Sequence, residues 1–252
     1  MKALITGASS GIGRDIAHVL SSKGYSLILV ARNQERLLQL QKTLKTPSAV
    51  IPLDLSIPEH CFMLYQKVKK EKIEVLINNA GYGIFGEFLR TDLEQELNLI
   101  DLNIKAVHIL TKLFLKDFVA RDRGFVLNVS SSAAFLPGPL LSSYYASKAY
   151  VLRLTEAVDA ELKKRGSKVS VSALCPGPVQ TNFDERAGVS FSLPGLSSSQ
   201  VASYAVKKMF QKKRIIIPGG LMKLSYGLEK IAPESILTQA AYHIQHKKKG
   251  RD

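Results

Sequence analysis

Seven short apolar runs punctuate the chain, over residues 3–5, 26–31, 49–53, 75–77, 125–129, 168–174 and 215–217. The second of them, Ser-Leu-Ile-Leu-Val-Ala, is apolar throughout rather than alternating, as a parallel strand covered on both faces is. Between the runs, apolar residues recur at helical spacing over 34–45, 59–70, about 91–118, 142–164 and 200–211. A first helix carries Ile16, Ala17, Val19 and Leu20, and the long one at 142–164 puts Val151, Leu154, Val158 and Leu162 on its core side. Strand and helix therefore alternate, which predicts an α/β fold. Residues 219–246 read as an amphipathic helical tail, and 246–252 as a frayed basic end.

The first strand runs into a loop of small residues, Thr6-Gly7-Ala8-Ser9-Ser10-Gly11-Ile12-Gly13, ahead of the first helix. Gly7, Gly11 and Gly13 sit where a chain sheds side chains to turn sharply, to approach a bound group and to pack helix on strand. The backbone N–H groups of Ser9, Ser10, Gly11, Ile12 and Gly13 then gather near a helix N-terminus, whose partial positive charge favours a phosphate. The same residues match the Gly-x-Ser-x-Gly elbow of α/β-hydrolases with Ser9 as nucleophile. That elbow needs an oxyanion loop upstream, where this sequence has almost nothing.

Composition narrows the class. A chain of 252 residues that is 46% hydrophobic can bury a full core, and we expect one domain over 1–252. The two cysteines, Cys61 and Cys175, form no CxxC pair, which fits free thiols in a reducing, cytoplasmic setting. Met1-Lys2 leads straight into the first strand, so no leader is expected, and no apolar run approaches the length of a membrane span. His243 and His246 share a helix face without a third ligand, so no metal site is expected. The net charge of +14 comes in basic runs that read chiefly as solvated helix ends. Their other reading is an anionic partner: a phosphorylated cofactor, an acidic carrier or a membrane surface. Nucleic acid is not expected, because the runs lack interleaved aromatics.

The strand ends carry the candidate chemistry. After the second strand stands Arg32, where a site for NAD would place a carboxylate; a guanidinium there suits a 2′-phosphate, hence NADP(H). Asp54 follows the third strand, where it could accept from an adenine amino group or close a turn. Asn78, Asn79, Ala80 and Gly81 end the fourth strand. Asn103 interrupts an apolar helical pattern and is a candidate kink and site residue, or a satisfied core amide. Three serines, Ser130, Ser131 and Ser132, end the fifth strand. Tyr144 and Lys148 lie four apart on one helix face, where an ammonium would lower the phenol's pKa. Tyr145 points away and reads as packing. The sixth strand delivers Pro176, Gly177, Val179 and Thr181, followed by a loose stretch at 182–198 that reads as a substrate lid.

In this order the motifs TGASSGIG (6–13), NNAG (78–81), Asn103, the strand-end serine, YxxxK (144–148) and PGPVQT (176–181) make the chain resemble the short-chain dehydrogenase/reductase family over nearly its whole length. The resemblance implies a Rossmann-type, doubly wound, mostly parallel seven-stranded sheet and carbonyl–alcohol oxidoreduction with a nicotinamide cofactor. It implies Tyr144 as general acid/base, Lys148 as its tuner and ribose holder, Ser131 as carbonyl polariser and Asn103 as holder of a relay water. Arg32 matches the NADP-preferring variant, Thr181 the carboxamide-binding residue, and Asp54, Leu55, Asn79 and Ala80 the adenine-side contacts. Homodimers or homotetramers through the two long helices are implied as well. Phe85, Phe88, Phe135, Leu136, Leu140, Phe183 and Phe191 fall in segments that should line the pocket, which favours an apolar ketone or aldehyde.

Overall fold

Each apolar run becomes a strand of one sheet; the inner runs are covered on both faces, while the edge run at 49–53 buries only Ile51. The computed structural model describes residues 1–180 and 195–229, with Thr238 and Tyr242. In chain order β1 (Lys2–Thr6), α1 (Gly11–Ser22), β2 (Ser26–Ala31), α2 (Gln34–Thr43) and β3 (Ser48–Pro52) build one half. The other half holds α3 (Pro58–Val68), β4 (Val75–Asn78), α4 (Leu93–Ile100), α5 (Val107–Ala120), β5 (Phe125–Val129), α6 (Ser142–Lys164) and β6 (Ser170–Leu174). A short parallel pair, β7 (Val179–Gln180) and β8 (Leu196–Ser197), leads to α7 (Ser198–Phe210), β9 (Ile215–Ile216) and α8 (Gly220–Glu229).

The main sheet is seven-stranded and parallel, in the order β3-β2-β1-β4-β5-β6-β9. The chain winds outward from β1 to β3 and then from β4 to β9, so the order reverses between β1 and β4. A crevice opens there at the carboxyl ends of the strands, the place where such sheets bind ligands. Alternate residues feed two cores. Ala3 and Ile5 pack with Ile16, Leu20 and Leu37 and with Val201 and Met209 of α7; Leu4 packs on the other face with Leu64, Leu110, Phe114 and Phe118. Both phenylalanines are almost wholly buried, each stabilising the fold by about 1.5–3 kcal/mol.

The helix expected over about 91–118 is divided. Between α4 and α5 the backbone widens into a π-helical turn at Asp101–Ala106, with Asn103 inside it. The next-to-last predicted helix begins earlier than its apolar pattern, at Ser198, because Ser197 and Gln200 form a reciprocal capping box. Thr181, Phe183, Phe191, most of the 182–198 lid, His243, His246 and the 246–252 tail lie outside the described residues. Of the tail helix, Gly220–Glu229 is described. No described helix is long and apolar enough to cross a membrane.

Candidate active site

At the head of α1 the loop is shaped by what its glycines leave room for. Gly7 and Gly11 have φ of +64° and +53°, a region that disfavours side chains. A Cβ on Gly13 would collide with the Asn79 amide and the Gly7 carbonyl. Asn79 uses that space: its Nδ2 donates to the carbonyls of Thr6 (3.1 Å) and Gly7 (3.0 Å). Buried Thr6 completes the weld, its Oγ1 accepting from the backbone N–H of Asn79 (2.9 Å) and Ala80 (3.1 Å). The two halves of the crevice are thus locked together at the switch point. Ser10 precedes α1 with extended backbone, and its hydroxyl does not cap the helix. The first-turn amides of Gly11, Ile12 and Gly13 therefore keep their ability to hold an anion.

Arg32, its side chain 65% exposed, lies beyond β2 with Nη1 3.7 Å from Asp54 Oδ2. Oδ1 of Asp54 closes a turn, accepting from the N–H (3.0 Å) and hydroxyl (2.8 Å) of Ser56. Burial pushes the Asp54 carboxyl up, but the two Ser56 hydrogen bonds, Arg32 and His60 outweigh it and hold it below its ordinary value. Leu55 turns inward to the core with Ile51, Cys61 and Leu64, so only its backbone can touch a ligand. Val179 likewise packs against the core, and Pro176 is buried with its carbonyl accepting from Ser132 N–H (2.8 Å).

The three serines separate. Ser130 is buried and donates its hydroxyl to the Lys148 carbonyl at 2.7 Å, pinning α6 to β5. Ser131 accepts from Ala133 N–H (3.1 Å) and is hydrogen-bonded to the Tyr144 phenol. Ser132 opens the short helical turn Ser132–Phe135. Lys148, only 5% exposed, donates from Nζ to the Val129 carbonyl at 3.0 Å and lies 5.6 Å from the centre of the Tyr144 ring. A Cβ on Gly81 would stand 3.4 Å from that Nζ and 2.8 Å from Asn103 Oδ1, so the absent side chain keeps this corner open.

One expectation is corrected here. The ammonium does not lower the phenol's pKa: burial pushes Tyr144 up to about 12, while the Ser131 hydrogen bond pulls against it. Lys148 sits over the ring face and is held by a carbonyl, and burial lowers its own pKa to about 8, opposed by buried Cys175. Both groups are governed by desolvation more than by each other.

Asn103 is fully buried and its side chain is fully engaged. Oδ1 accepts from Tyr82 N–H (3.1 Å), and Nδ2 donates to the Tyr82 carbonyl (2.9 Å) and to Ser147 Oγ (3.1 Å). Both earlier readings meet in it: it lies in the widened turn and it is a satisfied amide. Behind it Asn78 donates to Thr111 (3.0 Å) and Asn128 (2.9 Å), and Asn128 to Thr155 (3.0 Å), tying β4 and β5 to α5 and α6.

Of the apolar candidates, Phe88 is 63% exposed and Leu140 is buried, while Phe135 packs on Tyr226 of α8 with ring centres 4.5 Å apart. Tyr145 lies against Gly138, as the packing reading expects. The segments after β4 and after β5 are joined by Gly86 N–H donating to the Leu140 carbonyl at 2.8 Å. Met222 of α8 is seated on Gly177, where a Cβ would come within 2.6 Å of its sulfur. Tyr82 begins the glycine-rich, aromatic stretch 82–88 that reads in sequence as a pocket lip, whereas Met222 and Tyr226 had no sequence signal beyond their apolar character. Among the described residues, no cluster of three or more His, Cys, Asp or Glu could hold a metal.

The short chain dehydrogenase family model matches residues 1–189. An oxidoreductase of Staphylococcus epidermidis is 32% identical over 185 residues, 73% of this chain and 80% of that one. The ketoacyl reductase HetN of Nostoc is 32% identical over 247 residues, 92% and 85% of the two chains. The mouse very-long-chain 3-oxoacyl-CoA reductase is 33% identical over 72% of this chain and 60% of its own length. Among solved structures, a short-chain dehydrogenase from Sphingobium yanoikuyae in complex with NADPH superposes with a TM-score of 0.80 at 29% identity, covering 93% of this chain and 97% of its own. With its doubly wound sheet and these matches, the chain belongs to the short-chain dehydrogenase/reductase family of oxidoreductases.

Proposed function

We propose that the chain is an NADP(H)-dependent reductase or dehydrogenase interconverting an apolar ketone or aldehyde and its alcohol. The hydrogen bond joining Ser131 to the Tyr144 phenol carries this reading, because it sets two hydroxyls side by side near Lys148 and the corner left open at Gly81. The residues fit a dinucleotide: uncapped amides at α1 would hold its phosphates, the exposed guanidinium of Arg32 a 2′-phosphate, and Gly81 leaves room beside Lys148 and Asn103. When bound, the cofactor supplies or takes the hydride.

The protein's own part is proton and charge management. Ser131 and Tyr144 donate to the substrate oxygen, where negative charge grows in the transition state, and Tyr144 then delivers its proton. A phenol raised to about 12 keeps that proton at neutral pH, as an acid for reduction must. Lys148 contributes positive charge near the phenol, and its ammonium would hold the cofactor's ribose. Because the Asn103 side chain is already engaged, a relay water there would rest on its main chain.

The choice of NADP(H) rests on Arg32. The Sphingobium relative was solved with NADPH, and a Burkholderia phymatum dehydrogenase sharing the fold at 22% identity was solved with NAD. An apolar ketone is supported by Phe135, which follows the strand-end serines and packs with Met222 and Tyr226 in one apolar cluster, and by relatives named as ketoacyl and 3-oxoacyl-CoA reductases. The outer faces of α5 and α6, where His108 Nδ1 meets the Tyr150 hydroxyl at 2.7 Å, are where we place a homodimer or homotetramer contact. Following NADPH and NADH absorbance against a panel of apolar ketones and aldehydes tests the reading. Cofactor oxidation with at least one of them is expected; NADPH binding without turnover across the panel would instead mark a dinucleotide-sensing protein.

A further inference from the structure

The chain's excess positive charge is concentrated on one end of the molecule. Helices α1, α2, α3, α5, α6 and α7 all end at the amino-terminal edge of the sheet, and six short loops return from them into the strands. Those loops, over 23–25, 44–47, 69–74, 121–124, 165–169 and 211–214, together with Lys2, hold thirteen Lys or Arg against three acids. That is ten of the fourteen net charges of the whole chain. At the opposite edge, where the candidate active site opens, the described loops carry Arg32 and Arg90 against Asp54, Glu87 and Asp92.

Local compensation does not absorb this excess. The three acids are already engaged: Glu71 with Lys2, Glu74 with Arg123, and Asp122 with the Lys168 backbone and Ser167. Six helix C-termini add about −0.5 each, roughly −3 in all, against ten positive charges. A surplus this size is more than helix-end complementarity requires.

We propose that this basic end is a docking surface for an anionic lipid bilayer. Three observations favour a charged plane over other polyanions. Every loop on the edge carries at least one cation, and the loops are all short, so the charge covers a broad end face and lines no groove. The exposed cations are mostly lysines, while the guanidiniums of Arg121 and Arg123 are tied to the Ile73 carbonyl and to Glu74. Hydrated point charges suit long-range attraction to a lipid surface, whereas nucleic-acid phosphates favour free arginine forks. The aromatics of this end, Tyr25, Phe125 and Phe210, pack on one another and offer no platform for bases. An acidic carrier delivering substrate is placed on the wrong side: strands of five or six residues put about 17–20 Å between this edge and the site. Docked in this way, the protein holds its crevice open toward water.

The test is sedimentation of the full chain with vesicles of phosphatidylcholine alone and of phosphatidylcholine with phosphatidylglycerol. Binding is expected to the anionic vesicles only, and to fall steeply as salt rises. The triple variant Lys23→Gln, Lys70→Gln, Lys213→Gln removes three exposed charges that make no side-chain hydrogen bond or ion pair among the described residues and stand far from the site. It should bind about 100-fold more weakly, at about 1 kcal/mol per lysine. Its melting temperature and its NADPH-dependent turnover should stay unchanged, so binding is read independently of the reductase assignment. Failure of the wild type to pellet with anionic vesicles at low salt overturns the proposal. So does equal binding by the triple variant, or displacement of the vesicles by duplex DNA at matched charge.

Discussion

The side-chain amide of Asn103 grips the backbone of Tyr82 at both ends, accepting from its N–H at 3.1 Å and donating to its carbonyl at 2.9 Å. The pair fastens the loop after β4 to the widened turn between α4 and α5, and the Tyr82 hydroxyl extends the tie to Asn98 at 2.9 Å. Replacing Asn103 by Leu takes the partner from the Tyr82 N–H and carbonyl and one donor from the Ser147 hydroxyl, at about 1–3 kcal/mol for each group left unsatisfied. Denaturant unfolding should show that loss. If stability falls while turnover per folded molecule holds, Asn103 is structural only; we expect turnover to fall as well.

Tyr144→Phe deletes the phenol and keeps the ring against Tyr145 and Lys148. Loss of a general acid typically costs 10²–10⁴ in rate, so turnover should drop by about that factor while NADPH fluorescence still reports binding. Ser131→Ala removes one of the two converging donors and should cost about 10²–10³ in kcat. A Tyr144→Phe variant with near wild-type turnover would contradict the assignment.

Gly13→Ala tests the weld at the switch point. Its Cβ has nowhere to go between the Asn79 amide and the Gly7 carbonyl, both of them backbone-anchored. Overpacking of this kind costs about 1–3 kcal/mol, so thermal unfolding should shift down and NADPH affinity should weaken with it. An unchanged melting point would mean the loop can spread.

What the sequence made legible follows from which forces are local. The strand Ser26–Ala31 and the helix Ser142–Lys164 have the bounds their apolar patterns predict, since burial on a sheet face or a helix stripe is written in periodicity. The π-helical turn was visible only as an asparagine out of place. Its cause, a backbone grip on Tyr82 from 21 residues away, has no periodic trace. Residue type alone did not separate the three serines, and only the family resemblance singled out Ser131, because their difference is which way each hydroxyl turns on the folded strand end. The direction of the Tyr144 shift was misread for a related reason. Spacing places an ammonium near a phenol but cannot weigh that charge against burial, and burial wins.

The proposed choice of NADP(H) rests on Arg32, and the geometry of that residue sharpens the prediction. At 3.7 Å from Asp54 and largely exposed, the guanidinium is held at the crevice rim with its face available. Charge-assisted bonds to a phosphate contribute about 1.5–3 kcal/mol, so Arg32→Ala should weaken NADPH binding by about 10- to 150-fold and leave NADH little changed. Arg32→Asp should swing preference further towards NADH. It also sets a second carboxylate beside Asp54, whose lowered pKa depends in part on Arg32, and that pKa should rise. An unchanged NADPH-to-NADH ratio of kcat/KM in both variants would remove Arg32 from the site.

The pH dependence follows from two buried groups with opposite shifts. Tyr144, pushed up to about 12, holds its proton across the accessible range, so it should not limit reduction from pH 6 to 10. Lys148, lowered to about 8, is an ammonium below that pH and a neutral amine above it. Reduction draws on that positive charge as the substrate oxygen becomes negative. Its kcat/KM should therefore be level on the acid side and decline through about pH 8. Lys148→Arg keeps its charge at every accessible pH, and if any turnover survives the bulkier head, the decline should vanish from its profile. The folding equilibrium moves the other way. The unfolded lysine titrates near 10.5, so between about 8 and 10.5 the unfolded state binds more protons and rising pH relieves the cost of burying Lys148. Stability measured against Lys148→Met should show the wild type gaining ground over that window. A reduction profile level through pH 10 would show that the ammonium is not needed for the chemistry.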